Sequence, residues 1–154
     1  MSEFLKIALT AGFTIVGGVL VYVIGQAASK FFIEPIQELK KAIGEVRFNL
    51  SFYAKVILTD AARTPERSAK VSEALMKNSS DLFARANTIP CYDCLQRRLS
   101  HFLPPKTSVL KAAMWLRGLS NSVYATEPSD LQTQSKNYEI IQKIESLLGL
   151  DPLE

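Results

Sequence analysis

From Ile7 to Ala28 the chain reads IALTAGFTIVGGVLVYVIGQAA, 22 residues without one charged side chain. At a rise of 1.5 Å per residue, a helix of that length covers about 33 Å, close to the roughly 30 Å hydrocarbon core of a bilayer. Backbone amides in lipid have no water to pair with, so a lone apolar segment that crosses must be helical. The reading is a short tail over residues 1–6, a transmembrane helix over 7–29, a juxtamembrane joint over 30–35 and a helical soluble domain over 36–154. The competing reading is a secretory signal peptide, with Lys6 as its basic region and Gly25-Gln26-Ala27 as a small-x-small cleavage site. The apolar stretch exceeds the usual length of a signal core of about 7–15 residues, and Glu3 lies in the would-be basic region, which favours the anchor.

Basic residues set the orientation of a span. Lys6 precedes it, whereas Lys30, Lys40, Lys41 and then Arg47 follow, so the expected topology places the C-terminal domain in the cytoplasm, on a plasma or bacterial inner membrane. Within the span, Ala11, Thr14, Gly18, Gly25 and Ala28 recur near a seven-residue spacing, with Ala8 and Gly12 as a second small row. Small residues let helices approach closely in lipid, where no hydrophobic drive exists between them. These positions predict self-association.

Phe31, Phe32 and Pro35 follow, aromatic side chains suited to an interface and a proline that either kinks the helix or opens a new one. Beyond them Ile36, Leu39, Ile43, Val46, Leu50, Tyr53 and Ile57 alternate at spacings of three and four, a continuous apolar seam. Phe48, Phe52 and Val56 add a second row and widen the face toward what a bundle buries; the alternative is that the Ile36 to Ile57 seam continues the self-association stripe of the span, and both sets are candidate helix-association residues. A helix capped by Thr64, with Pro65 at its first position, is expected to run to about Ala86 with Val71, Leu75, Leu82 and Ala86 inward. A short helix from about Cys91 to Leu103 follows, then Pro104-Pro105, a helix from about Lys106 to Val123, and a polar loop over 121–130. A last helix, capped by Ser129 and stopped by Gly149, has Leu131, Tyr138, Ile141, Ile144, Leu147 and Leu148 inward. No segment alternates as a strand does. The fold expected is all-α: one transmembrane helix and a bundle of four to five helices.

Cys91 and Cys94 are the only two cysteines. Their Cys-x-x-Cys spacing suits a redox dithiol, half of a tetrahedral zinc site with His101 as a third ligand, a disulfide in an oxidising compartment, or two free thiols. No fourth zinc ligand stands nearby, and no βαβ pattern supports a thioredoxin-like enzyme. The chain has no phosphate-binding glycine loop, no His-Glu-x-x-His and no Gly-x-Ser-x-Gly, so no catalytic or cofactor-binding set is named.

Residues 40–117 hold 14 Lys or Arg against 6 Asp or Glu, while 118–154 hold 2 against 6. A basic middle suits anionic lipid headgroups, with Arg97 and Arg98 as candidates. Its charges are interspersed rather than clustered and no nucleic-acid motif is present, so no nucleic-acid partner is expected. The functional expectation is a self-associating, membrane-anchored helical module that presents its domain to a protein partner. The alternative is an anchored thiol or zinc-site protein.

Overall fold

A computed structural model describes residues 3–59, 62–124 and 131–152. Among them there is no strand. The chain is all-α: one long apolar N-terminal helix, long and apolar enough to cross a membrane, then helices that pack together.

The first helix, α1 (Glu3–Ala28), passes without a break through a π-helical turn (Ser29–Ile33) into α2 (Glu34–Phe52). Pro35 explains the wide turn. Its ring would press on the carbonyl of Phe31 in a regular α-helix, and it has no N–H to return. In the π turn the Glu34 N–H bonds to the Ser29 carbonyl, five residues back, and the helix continues past the proline. The expected joint is therefore helical, and Pro35 neither breaks the rod nor starts a separate helix.

The seam of α2 faces a core made by its own chain. Leu39, Val46, Leu50 and Ile57 are fully buried, while Ile36, Ile43 and Tyr53 are half-buried against them. The helix does not run straight through the seam: Tyr53, with φ near −99° and ψ near 6°, interrupts it before the short α3 (Ala54–Leu58). Arg63 closes that end, donating to the carbonyls of Val56 and Ile57 at 3.1 and 2.9 Å.

The next helix, α4 (Pro65–Thr88), begins as the sequence indicates, with the Thr64 hydroxyl accepting from the Arg67 N–H. Val71, Leu75, Leu82 and Ala86 are buried, and Asn78 and Ser79 join them. The short α5 (Tyr92–Arg98) ends before the expected Leu103 because Leu99, at φ −119° and ψ 36°, leaves helical geometry. Then come α6 (Lys106–Tyr124) and α7 (Leu131–Leu148). Gly149 has φ +65° and lets the Leu150 N–H reach the Glu145 carbonyl, which closes the helix end. Ser129 and the side chain of Leu131 lie outside the described residues.

The four long helices α2, α4, α6 and α7 pack in a ring, each antiparallel to its neighbours in the chain. Matched pairs fix the directions. Arg85 pairs with Glu38 and Asn49 with Asn78 across α2 and α4; Ser79 donates to the Ala113 carbonyl at 2.7 Å across α4 and α6. Arg47 donates to Glu145 at 2.7 Å across α2 and α7. This is an up-down-up-down four-helix bundle, with α3 and α5 as short pieces at opposite ends.

Small and hydroxyl side chains bring α4 and α6 together. The Ser120 hydroxyl donates to the Ser72 carbonyl at 2.9 Å and lies 2.8 Å from the Ser72 hydroxyl, with Ala112 and Ala113 buried beside them. Glu145 is 3 % exposed and held by Arg47, so its charge is compensated.

Three expected core positions are not core. Phe48 and Phe52 are 63 % and 66 % exposed and stack on each other at 5.5 Å, because the α2 face toward α4 and α7 is filled by the Leu39 to Leu50 row. Tyr138 is also exposed, since Asn137 takes the inward position on α7 and donates to the Ile57 carbonyl at 3.2 Å.

The bundle makes a direct prediction. Leu50→Ala deletes a fully buried side chain and lowers unfolding free energy by about 2–5 kcal/mol, whereas Phe48→Ala changes it by about 0.5 kcal/mol or less. Denaturant unfolding of both variants in mild detergent reads the difference.

Candidate functional site: the exposed apolar helix and the cysteine turn

Every described side chain from Lys6 to Ala28 is exposed, and no bundle helix packs along α1. The large apolar side chains from Ile7 to Ile24, Phe13 and Val21 among them, are exposed, and no other helix among the described residues covers them. A continuous apolar surface of this extent is far larger than the few hundred Å² that a soluble monomer normally leaves open. Both threonines in it are locally satisfied: Thr10 donates to the Lys6 carbonyl at 2.9 Å and Thr14 to the Thr10 carbonyl at 3.0 Å.

Ala11, Thr14, Gly18, Gly25 and Ala28 form one exposed stripe along this helix. A side chain added at Gly12, Gly17, Gly18 or Gly25 would meet nothing within 4 Å. The stripe is thus open surface, and its glycines are not required by the packing of the chain itself. The lower half of the expected association set, Ile36 to Ile57, is placed differently: those residues associate within the chain, and the fully buried ones have no surface left for a second copy.

The cysteine motif sits on a tight turn between α4 and α5. Ile89, with φ −75° and ψ 115°, is extended, as the residue before a proline tends to be. Cys91 then turns left-handed, at φ 49° and ψ 41°, the only described non-glycine residue with positive φ. Its carbonyl accepts from the N–H groups of Cys94 and Leu95 at 2.9 and 3.1 Å, which starts α5. Both thiols are free and exposed. His101 is exposed in the turn that follows. Among the described residues no three His, Cys, Asp or Glu side chains gather as a metal site would need, so the structure does not bring Cys91, Cys94 and His101 together as ligands.

The residue of that motif with a structural task is Tyr92. It is buried, and its hydroxyl donates to the Pro104 carbonyl at 2.8 Å, tying α5 to the chain just before α6. Burial, with the neighbouring Asp93 carboxylate adding to it, pushes the Tyr92 phenol up to about 12. Leu103, also buried, plugs the same end of the bundle. Around this plug lies an exposed rim in which the Lys40 ammonium rests 4.5 Å from the centre of the Phe102 ring. Sequence periodicity missed Tyr92, Phe102 and Leu103 because they belong to a turn rather than to a repeating helix face. The one available signal was an aromatic residue inside the cysteine motif, twelve positions before Pro104.

Two predictions follow from this turn. A non-glycine residue in the left-handed region costs about 1–2 kcal/mol, so Cys91→Gly folds as well as the parent or gains up to about 1 kcal/mol, measured by thermal melting. Tyr92 has its pKa raised on folding, so its contribution is complete below pH 10 and is lost as pH rises toward about 12. Tyr92→Phe costs about 1 kcal/mol at neutral pH through the lost hydrogen bond. It then shows a smaller further loss than the parent between pH 10 and 12, measured by pH-dependent denaturation.

Comparison with known protein families, with curated proteins and with solved structures finds no match to this chain.

Proposed function

We propose that this chain is a single-pass membrane protein in which α1 spans the bilayer, copies associate along the Ala11 to Ala28 stripe, and the bundle faces the cytoplasm as a docking module for a protein partner. The observation that carries this reading is the complete exposure of an apolar helix of spanning length. Among the described residues nothing covers that surface, and lipid supplies a cover for it that a helical backbone tolerates.

Two features support an anchor over a cleaved leader. Gly25-Gln26-Ala27 lies inside an unbroken helix rather than in an extended segment, and that helix leads directly into the first core residues of the bundle. The aromatic pair Phe31 and Phe32 stands where the apolar stretch ends, as interface residues do. The cytoplasmic placement rests on Lys30, Lys40 and Lys41 beyond the span against Lys6 before it.

The open glycines make self-association cleanly testable. Gly18→Leu and Gly25→Leu disturb nothing inside the chain, so a change in oligomer size reports on contacts between chains. The parent protein stays in the membrane pellet after alkaline carbonate washing and cross-links as an oligomer in detergent, while each leucine variant stays in the pellet but shifts toward monomer. Release by carbonate would contradict the span. Unchanged cross-linking in both variants would contradict association along this stripe.

A further inference from the structure

The bundle end that carries α5 is the end nearest the span. The Glu38–Arg85 pair places the last turns of α4 beside the first turns of α2, and α5 and the 99–105 turn run from there to the start of α6. Along the rod, Lys40 lies 12 residues beyond Ala28, about 18 Å from the edge of the hydrocarbon. The headgroup layer takes up about 5–7 Å of that distance, and one helix thickness of about 10 Å fills the remainder.

The charged groups on and around that end are mainly basic. Residues 29–41 and 85–106 together hold 7 Lys or Arg against 3 Asp or Glu, and one of each sign is consumed by the Arg85–Glu38 pair. Arg97 and Arg98 are exposed at the end of α5, and Phe102, 62 % exposed, projects beside Lys40 with Leu99 close by in sequence. Cationic and aromatic side chains together, tethered one helix thickness from a bilayer, match the chemistry of an anionic headgroup surface.

On the reading that α1 spans the membrane, we infer that α5 and the 99–105 turn form a lipid-facing surface that rests on the anionic leaflet through Lys40, Arg97, Arg98 and Phe102, and so fixes the bundle against the membrane. The opposite end, bearing α3 and the start of α4, is then the end presented to solution.

The two native cysteines lie on this surface and report on it directly. The full-length chain, with Cys91→Ser leaving Cys94 as the single thiol, is labelled in detergent with a thiol-reactive fluorophore. It is then reconstituted into vesicles containing headgroup spin-labelled lipid, either neutral phosphatidylcholine or with about 30 % phosphatidylserine, and floated on a density gradient. The expected result is flotation in both, with quenching about twofold stronger in the anionic vesicles. That excess disappears at about 0.5 M salt and falls in the exposed double variant Arg97→Ala with Arg98→Ala. Flotation with quenching that ignores lipid charge, salt and both arginines would overturn the lipid-facing surface while leaving the anchor standing, as a protein-docking surface would do. Failure to float would overturn the anchor, and this inference with it.

Discussion

Apolar surface gains about 25 cal/mol for each Å² withdrawn from water, and no bundle helix covers the apolar side chains of α1. Two threonines of α1 bond to carbonyls within the helix, and its large apolar side chains stand uncovered by the bundle. A helix of this kind suits a bilayer and is a liability in water.

The continuity of the rod carries this constraint into the bundle. Only two residues separate Ile33, at the end of the π turn, from Ile36, the first side chain packed against the core, and Leu39 is already fully buried. There is no flexible tether on which the bundle could swing. The π turn forced by Pro35 keeps the helix intact where a break would have uncoupled the two parts. On the proposed reading that α1 spans a membrane, the direction in which α2 leaves α1 decides which end of the bundle lies near the bilayer. The Tyr92 and Leu103 plug, with its basic and aromatic rim, closes that same end.

Much of the architecture was legible in the residues. The uncharged stretch as one long apolar helix, the seam at spacings of three and four, Thr64-Pro65 at a helix start and Gly149 at a helix end are each present in the structure. What periodicity could not resolve was which of two neighbouring apolar rows faces inward. Phe48 and Phe52 look like core by hydrophobicity, yet Leu39, Val46 and Leu50 already occupy the inward arc. The α4–α6 contact was hidden for the opposite reason: it is built from Ser72, Ser79, Ser120 and alanines, which a search for large apolar side chains passes over. The cysteine pair drew notice through its spacing, but spacing says nothing of geometry. The turn at Cys91 leaves both thiols pointing outward, with Tyr92 as the buried member of the motif.

Hydrogen exchange of the full-length chain in lipid nanodiscs, followed residue by residue, tests the central claim most directly. The account predicts that amides from about Leu9 to Ala28 exchange more slowly than any in the bundle, because lipid excludes water from a helix that its own chain leaves bare. Exchange of those amides within minutes, as for a helix standing in water, would contradict it.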